Sequence, residues 1–275
     1  MTDVTIVVAT RDRAAELRRS LEKHAAPVIV VDNASSDGTA EVAAAAGARV
    51  LRLPRNEGAA ARNAGVRLAR TRYVAFADDD SWWAPGSLEH AAAVMDAHPR
   101  TALVAARVLV GERERLEPVS ELMARSPLGH PDDLPGRAIL GFLACSAVVR
   151  RDAFLAVGGF SETLHFGGEE ELLALDLAAA GWGLAYLPEI VVHHHPSPRR
   201  PDPGARRRRE ARNRLLTAWL RRPLPVFVRA ALTALTSRDG RGGLADAARA
   251  WPRVADARRP VPPEVERARS ALETY

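Results

Sequence analysis

Three consecutive aspartates, Asp78 to Asp80, directly follow the apolar run YVAFA. Carboxylates this close repel one another, so the cluster is costly at the end of a buried strand unless a cation offsets its charge. Alternate residues of an extended segment point to the same side, so we expect Asp78 and Asp80 to face one ion while Asp79 points elsewhere. Oxygen ligands suit Mg²⁺ or Mn²⁺, which commonly bridge a protein to substrate phosphates. The alternative is a solvated acidic turn in which Asp80 caps a helix that begins near Pro85.

The elements that position these aspartates alternate between short apolar runs and amphipathic stretches. The first hundred residues predict strands at 4–9, 28–31, 50–53 and 73–77, and helices at 13–24, 36–46 and 59–70. Nearly continuous runs of Val and Ile are typical of strands covered on both faces, as in a parallel sheet with crossover helices. The pattern predicts an α/β fold of the nucleotide-binding type with a mixed, mainly parallel sheet.

Polar residues cluster directly after three of these predicted strands. They are Thr10, Arg11, Asp12 and Arg13 after the first strand, Asp32, Asn33, Ser35, Ser36 and Asp37 after the second, and the three aspartates after the fourth. In a parallel sheet the ligand crevice lies beyond the carboxyl ends of the strands. The sequence therefore predicts one acidic, hydroxyl-rich site at that edge of the sheet.

The second half of the chain is less regular. A stretch rich in Pro, Gly and Asp at 117–135 predicts a loop, an apolar run follows at 139–149, and a helix pattern and a short strand cover 169–180 and 190–192. Beyond Pro196 the composition shifts to Pro and Arg, so we expect the catalytic domain to cover residues 1–198. Residues 199–275 are predicted to form a basic extension with helices at 206–220 and 225–235 and a weakly structured end.

Five segments, in order along the chain, resemble glycosyltransferase family 2. They are VVATRDRAAELRRSLE, VVDNASSDGT, NEGAAARNAG, FADDDSWWAPGSL, and the stretch from GGF through GGEEELLALDLAAAGW to YLPEIVVHHH. The resemblance runs from about Val4 to His195 and implies a GT-A fold and an inverting sugar transfer. A dinucleotide-binding dehydrogenase or a small GTPase would instead carry a glycine-rich phosphate-binding motif after the first strand, and neither of those motifs is present.

The resemblance also assigns roles to the polar residues at the strand ends. It implies nucleotide recognition by Thr10, Arg11, Asp32, Arg62, Asp78 and Asp79. The chemistry agrees, because Asp32 can accept a hydrogen bond from a base N–H and Arg62 can donate to a base carbonyl or a phosphate. A turn-forming role for Asp32 and a surface charge at Arg62 are the simpler alternatives.

Three glutamates, at 169–171, begin the later helix pattern. Family members usually carry a Glu-Asp pair here, so the resemblance makes Glu170 the general base and leaves Glu169 as the alternative. Either carboxylate can take a proton from an acceptor hydroxyl. Glu171 is explained by the favourable interaction of an acidic residue with a helix N-terminus.

Three histidines follow the last predicted strand, and the resemblance implies that one of them completes the metal site with the aspartates. The spacing from Glu170 favours His194, because His193 and His195 would face away from it on a strand. Imidazole prefers Mn²⁺ over Mg²⁺, so Mn²⁺ is the favoured ion.

Composition bears on the location and the partners. The formal net charge is +5, and the excess lies in the arginine-rich region after Pro198. The single cysteine, Cys145, excludes a disulfide within the chain, and a reducing, cytoplasmic location is expected. No signal pattern precedes the first strand, and no apolar stretch approaches the ~20 residues that span a bilayer. The basic C-terminal helices fit peripheral contact with the inner face of the membrane or packing against the catalytic domain, and no nucleic-acid recognition module is apparent.

The predicted function is that of a metal-dependent hexosyl- or deoxyhexosyltransferase. Its donor would be a UDP-, dTDP- or GDP-sugar, and its acceptor a small molecule or a lipid-linked compound. A nucleotidyltransferase on a related fold is one alternative, for which Arg11 and Arg13 offer only part of the basic phosphate-binding loop required after the first strand. A catalytically silent nucleotide-sugar binding protein is the other, and the intact acidic clusters disfavour it.

Overall fold

One sheet forms the framework of the molecule. The computed structural model describes residues 3–197 and 202–274, and within those ranges the sheet contains ten strands. They are β1 (Val4–Thr10), β2 (Val28–Asp32), β3 (Arg49–Arg52), β4 (Tyr73–Ala77), β5 (Ser81–Trp83), β6 (Thr101–Val110), β7 (Arg115–Leu116), β8 (Arg137–Ala138), β9 (Ala147–Arg150) and β10 (Gly183–His194). The order along the sheet is β3-β2-β1-β4-β9-β6-β10-β5, with β7 beside β6 and β8 beside β10.

The sheet is mixed, and its parallel ladders are the longer ones. Strand β1 pairs in parallel with β2 and β4, β2 pairs with β3, and β6 pairs with β10. The remaining strands join through short antiparallel ladders. In β1, Ile6 and Val8 face one hydrophobic cluster and Val7 faces another, so this strand is apolar on both sides. Such a strand is stable between two helical layers, and the predicted α/β fold is confirmed.

Helices cover both faces of this sheet. In the described ranges they are α1 (Ala14–Leu21), α2 (Thr39–Ala45), α3 (Ala61–Leu68), α4 (Ser87–Ala97), α5 (Pro118–Ala124), α6 (Arg151–Ala156), α7 (Glu169–Ala179), α8 (Pro203–Arg221), α9 (Leu224–Ala234), α10 (Arg238–Ala250) and α11 (Pro263–Glu273). Leu17 of α1 and Met95 of α4 pack on one face of the sheet, and Val66 of α3 packs on the other. The predicted helices of the first half are therefore present, with ends shifted by a few residues.

The predicted loop at 117–135 is wrong at its start, where α5 forms. Glu117 caps this helix, because its side chain accepts hydrogen bonds from the amides of Val119 and Ser120, and Pro118 occupies the first helical position. Met123 is buried against the core. The sequence did not predict α5, because its capping residues lie beside a Pro- and Gly-rich stretch and the helix has only two turns.

The segment after the aspartate run bears on the alternative in which Asp80 caps a helix. Strand β5 follows the aspartates directly and pairs with β10, whereas α4 begins at Ser87 after Gly86, which has a φ of 80°. Asp80 is separated from α4 by this strand. The alternative in which Asp80 caps that helix is therefore wrong.

The C-terminal end is helical, and the predicted weakly structured end is wrong. Ala247 and Ala250 of α10 share a hydrophobic cluster with Leu172 of α7, and Val265 of α11 packs against Leu175 of the same helix. Helix α10 contains three glycines, which disfavour a helix in isolation. Contacts with segments far along the chain therefore stabilise both helices.

The domain boundary expected between residues 198 and 199 lies outside the described residues. On its C-terminal side, α8 and α11 contact α7 through the clusters just described. No helix in the described ranges is long and apolar enough to cross a membrane.

Arg222, directly after α8, ties that helix to α11. It is 4% exposed. Its Nε and Nη2 donate to Glu266 at 3.0 and 2.7 Å, and its Nη1 donates to Glu273. A buried cation of this kind is stable only while its partners remain, because desolvation penalises an unpaired charge.

We expect Arg222→Ala to lower the free energy of unfolding by about 3 to 5 kcal/mol, because Glu266 and Glu273 lose their buried partner. Arg206→Ala is the matched control. Arg206 also pairs with a glutamate, but its side chain is 71% exposed, so its loss should cost less than about 1 kcal/mol. Urea denaturation followed by circular dichroism measures both changes. Similar costs for the two variants would contradict the role assigned to Arg222.

Candidate active site

The three aspartates form the turn that joins β4 to β5. Ser81 closes this turn, because its hydroxyl accepts from the Asp78 amide at 2.8 Å and its amide donates to the Asp78 carbonyl at 3.2 Å. Every residue of β4 is buried. The aspartates therefore lie at the edge of the sheet where β1 and β2 also end. An α/β sheet binds its ligands at this edge.

Asp78, Asp80 and His194 lie close enough to bind one ion. One ligand atom from each residue lies within 4.8 Å of the other two. The histidine is brought here by β10, because His194 pairs with Ser81 across the antiparallel ladder to β5. Two carboxylates and one imidazole suit Mn²⁺ and, less well, Mg²⁺. The structure thus brings together the three residues that the sequence suggested as metal ligands.

The contact between Asp80 and His194 keeps the carboxylate ionised. His194 Nε2 lies 3.2 Å from Asp80 Oδ1, and the Ser197 amide donates to Asp80 Oδ2 at 3.1 Å. Burial acts to raise the pKa of Asp80, but the hydrogen bond and charge of His194 outweigh it, so that pKa is lowered. Burial likewise acts to lower the pKa of His194, and Asp80 reverses the effect and raises it. An ionised carboxylate is the form that binds a cation.

The neighbouring histidines make different contacts. His193 Nδ1 lies 3.1 Å from a Glu114 carboxylate oxygen, and its ring stacks on Trp82 with the centroids 5.4 Å apart. The ring of His195 also contacts Trp82, at 4.7 Å. The alternation of side chains therefore separates His194 from both neighbours, as the sequence predicts.

Asp79 points toward β1 and away from the candidate ion site. The Thr10 hydroxyl donates to Asp79 Oδ2 at 2.6 Å. Burial raises the pKa of Asp79 to about 7, and the adjacent charges of Asp78 and Asp80 act in the same direction. A raised pKa favours the uncharged form of this carboxyl, which reduces the repulsion within the aspartate run.

Arg62 of α3 links the candidate ion site to the acidic start of α7. It is 3% exposed, and its Nη2 donates to Asp78 Oδ1 at 2.6 Å. Burial acts to lower the pKa of this guanidinium, but the charges of Asp78, Glu169 and Glu170 outweigh it and raise the pKa. Among the described residues its Nε has no hydrogen-bond partner. The alternative of a surface charge at Arg62 is therefore wrong.

Glu169 and Glu170 begin α7 in a buried environment. Glu169 is 2% exposed, and its Oε2 has no hydrogen-bond partner in the described part of the chain. Burial, followed by the charge of Glu169, raises the pKa of Glu170 to about 7, and burial also raises the pKa of Glu169. A carboxylate whose pKa is near 7 can accept a proton efficiently at neutral pH.

The residues expected to bind the nucleotide surround the ends of β1 and β2. Thr10 and Asp32 are register partners in this ladder. Asp32 is 4% exposed, its Oδ1 accepts from the Ser35 amide at 2.9 Å, and its Oδ2 lies 3.8 Å from Arg52 Nε. Asp32 thus shapes the turn after β2, as its simpler interpretation held. Arg11 is about half exposed at the same edge.

Several contacts that support the site were not indicated by the sequence. The His195 amide donates to the Asp80 carbonyl at 2.8 Å, and Arg269 of α11 pairs with Glu171 at 2.7 Å. Glu171 therefore has a specific partner in addition to the helix N-terminus. Each of these contacts joins segments that are distant along the chain, so motif spacing carries no signal for them.

Comparison with known proteins identifies the family. The family model "Glycosyl transferase family 2" matches residues 5–158. The pre-mycofactocin glycosyltransferase of Mycobacterium tuberculosis is 35% identical over 207 residues, which cover 70% of this chain and 43% of that protein. This chain therefore spans less than half the length of that relative. Because the family model matches more than half of the sequence, the chain belongs to glycosyl transferase family 2.

Solved structures of glycosyltransferases share the fold. A mannosyltransferase from Pyrobaculum calidifontis, in complex with GDP-Man and Mn²⁺, has a TM-score of 0.62 at 21% identity, with 99% of this chain and 79% of that chain covered. TarS from S. aureus, residues 1–349 in complex with UDP-GlcNAc, has a TM-score of 0.59 at 18% identity, with 99% and 89% covered. The fold is therefore of the GT-A type.

We expect His194→Ala to raise the Mn²⁺ concentration needed for half-maximal binding of GDP or UDP by about tenfold or more, because the ion loses its imidazole ligand. His193→Ala is the matched control, since His193 contacts Glu114 and Trp82 instead. Calorimetric titration over a series of Mn²⁺ concentrations measures the effect. Equal changes in the two variants, or none in either, would remove His194 from the ion site.

Proposed function

We propose that this chain transfers a sugar from a nucleotide-diphosphate sugar to an acceptor hydroxyl, with inversion at the anomeric carbon. The proposal rests above all on the position of the buried Arg62, which lies within electrostatic reach of Asp78 in the candidate ion site and of Glu169 and Glu170 at the start of α7. Displacement at an anomeric carbon needs stabilisation of the leaving group and a base for the nucleophile. In this proposal the candidate ion site meets the first requirement and a glutamate of α7 meets the second, and membership of the family supports the same chemistry.

Asp78, Asp80 and His194 are the residues that would hold a divalent ion. When bound, the ion supplies positive charge that stabilises the departing nucleotide diphosphate. The donor set fits this role, because one ligand atom from each of two carboxylates and one imidazole lies within 4.8 Å of the other two. The imidazole favours Mn²⁺ over Mg²⁺, and Mn²⁺ accompanies GDP-Man in the mannosyltransferase of similar fold.

Glu170 is the proposed general base. As it takes the proton of the acceptor hydroxyl, the hydroxyl oxygen attacks the anomeric carbon from the face opposite to the nucleotide diphosphate. The bond from this carbon to the diphosphate oxygen breaks, and the diphosphate leaves with the bonding electrons. A single displacement inverts the anomeric centre, and one carboxylate base suits it better than the paired carboxylates of retaining glycosidases. Glu169, which lies beside Glu170, is the alternative base.

The donor is proposed to be a UDP-, dTDP- or GDP-activated hexose or deoxyhexose. The GDP-Man and UDP-GlcNAc complexes of the similar structures support a hexosyl donor. Thr10, Arg11 and Asp32 lie at the ends of β1 and β2, where they would contact the nucleotide. Arg62, Asp78 and Asp79 lie nearer the diphosphate end of the same crevice in this proposal.

The two rival classes make different demands on the same residues. A nucleotidyltransferase would need free cations after β1, but Arg11 pairs with Asp12 at 3.3 Å and Arg13 pairs with Glu16 at 3.4 Å. A silent binding protein would not need the acidic pair at the start of α7, where the guanidinium of the buried Arg62 interacts with both Glu169 and Glu170. Both observations support glycosyl transfer.

The proposal includes the two expected domains, 1–198 and 199–275, and a cytoplasmic location. The single cysteine, Cys145, is buried, and burial raises the pKa of its thiol well above the usual value. An unreactive, unpaired thiol agrees with a reducing compartment.

We also propose that α9 contacts a membrane surface. Leu224, Val228, Leu232 and Leu235, all on α9 or directly after it, are between 46% and 61% exposed and share one side of the helix. None of the eleven residues of α9 is buried. An exposed apolar stripe of this kind indicates a surface that is covered by a partner.

The charge around the stripe favours an anionic lipid surface over a second copy of the chain. Residues 202–274 contain 17 arginines and eight acidic residues. Arg229 lies beside the stripe with 72% of its side chain exposed, and Arg241 donates to the Leu235 carbonyl at 3.1 Å. Two such basic surfaces would repel each other, whereas each Arg near an anionic bilayer contributes about 1 kcal/mol to binding. A lipid-linked acceptor would suit this position, and a small-molecule acceptor is equally compatible with the transfer site.

We expect Glu170→Gln to preserve donor binding and to lower turnover of the nucleotide sugar by about 10²- to 10⁴-fold, because the amide cannot take a proton. Glu171→Gln, on the same turn of α7 but paired with Arg269, is the control and should retain most of the turnover. Since Glu170 must be unprotonated to act and its pKa is about 7, wild-type turnover should rise as the pH increases through 7. Near-normal turnover in Glu170→Gln, or a product that retains the donor's anomeric configuration by NMR, would contradict the mechanism.

We expect Leu232→Gln to weaken co-sedimentation with phosphatidylglycerol vesicles by about tenfold, because a buried leucine contributes about 1.5 to 3 kcal/mol. Leu122→Gln on α5 is the matched control, since both leucines are 61% exposed and helical. Vesicles of phosphatidylcholine alone should bind the wild type more weakly. If Leu232→Gln instead abolishes dimers detected by sedimentation velocity, a second copy covers the stripe and the proposal is wrong.

A further inference from the structure

The loop at 161–168 connects the core to the proposed base. It has an irregular backbone, with φ values of 65° at His165, 87° at Gly167 and 90° at Gly168. A backbone of this shape cannot satisfy its own carbonyl groups as a helix or a strand does. Other parts of the molecule must therefore hold it, and the loop leads directly into Glu169 and Glu170.

On one side, the loop is hydrogen-bonded to the segment directly before α3. The Ala59 amide donates to the His165 carbonyl at 2.6 Å. Gly58, which has a φ of 62°, lies so close that a Cβ there would overlap the His165 backbone. Asn33, after β2, donates to the Gly58 carbonyl at 3.1 Å. The loop is thus fixed to the turn that precedes α3, the helix that carries Arg62.

The other edge is held by α8, in the C-terminal extension. Asn213 is 1% exposed, and its side-chain amide lies within hydrogen-bond distance of three carbonyls in this part of the loop, those of Leu164 at 2.9 Å, Phe166 at 2.9 Å and Gly167 at 2.6 Å. Its neighbour Arg212 donates to the Asn213 Oδ1 at 2.7 Å and to the Thr163 carbonyl at 2.8 Å. One buried amide therefore satisfies most of the loop that α8 covers.

The loop is held close to the proposed base. The Gly167 carbonyl accepts from Asn213 at 2.6 Å, and Gly167 lies only two residues before Glu169 and three before Glu170. A displacement of this residue would move Glu169 and its neighbour Glu170 relative to Arg62. Errors of about 1 Å in such a position can cost roughly 10²-fold in rate.

We infer that Asn213 is a positioning residue that sets the place of Glu170 against the donor site, so that the C-terminal extension forms part of the transfer centre. The inference rests on the proposed function for the role of Glu170 as base. The hydrogen-bonded connection between α8 and the loop stands without that role. Asn213 acts through the loop backbone and touches none of the proposed reacting groups.

The test compares Asn213→Ala and Asn213→Asp with Arg214→Ala. Aspartate matches asparagine in size but cannot donate to the carbonyls, and Arg214 is an exposed neighbour on the same helix. Amide hydrogen exchange of residues 161–171 reports on the loop, calorimetry with UDP-GlcNAc and GDP-Man in Mn²⁺ reports on donor binding, and cleavage of the bound nucleotide sugar gives kcat.

Both Asn213 variants should lose protection in the loop and show kcat lowered by about 10- to 100-fold, with the donor Kd changed by less than about twofold. Arg214→Ala should match the wild type in all three measurements. A lowered kcat together with an equally weakened donor Kd would indicate general destabilisation and overturn the inference. Unchanged kcat despite faster exchange would also overturn it. If the wild type binds donors but cleaves none, the proposed function fails, whereas unchanged exchange in the variants refutes the Asn213 connection itself.

Discussion

The structure depends on how several neighbouring carboxylates are stabilised beside one buried guanidinium, that of Arg62. Arg62 interacts with three acidic side chains at the carboxyl edge of the sheet, namely Asp78, Glu169 and Glu170, and Asp79 and Asp80 directly follow the first of these. Desolvated like charges at this spacing are unfavourable unless each is neutralised. Three means of neutralisation operate here: Arg62 pairs with Asp78, His194 pairs with Asp80, and the pKa values of Asp79 and Glu170 are both raised to about 7. In the proposed function, the same arrangement provides two carboxylates and an imidazole as ligands for a cation and one carboxylate that accepts a proton.

The packing of the first half of the chain makes this arrangement possible. Arg62 reaches the carboxylates because α3 lies close against β1 and β2. Gly65 permits that approach, since a Cβ there would lie 2.5 Å from Val7 Cγ1 and 3.1 Å from Val31 Cγ2. The antiparallel pairing of β5 with β10 then brings His194 beside the aspartate turn. The acidic site is therefore assembled from a short turn between β4 and β5 and from the end of β10, and the pairing of β5 with β10 fixes the turn beside His194.

The C-terminal helices serve two surfaces with different chemistry. Helix α8 faces inward, where Asn213 and Arg212 bind the carbonyls of the loop before α7. Helix α9 faces outward, with no buried residue and with an apolar stripe beside exposed arginines. Arg222 lies between α8 and α9. It connects this part of the chain to α11, because it pairs with Glu266 and Glu273. In this arrangement a membrane contact at α9 would lie on the same helical unit that supports the proposed base.

The sequence by itself determined the parallel strands, the family and the residues that meet at the sheet edge, because hydrophobic periodicity and strand alternation are local properties. The alternation, together with the spacing from Glu170, separated His194 from His193, and the alternation separated Asp79 from its two neighbours. Only the tertiary structure decided the rest. Helices α10 and α11 form through contacts with α7 and α8, and the bond from Thr10 to Asp79 joins residues 69 positions apart. The role of Asn213 has the same origin, since a buried amide in an arginine-rich helix carries no sequence signal until the fold brings three carbonyl groups to it.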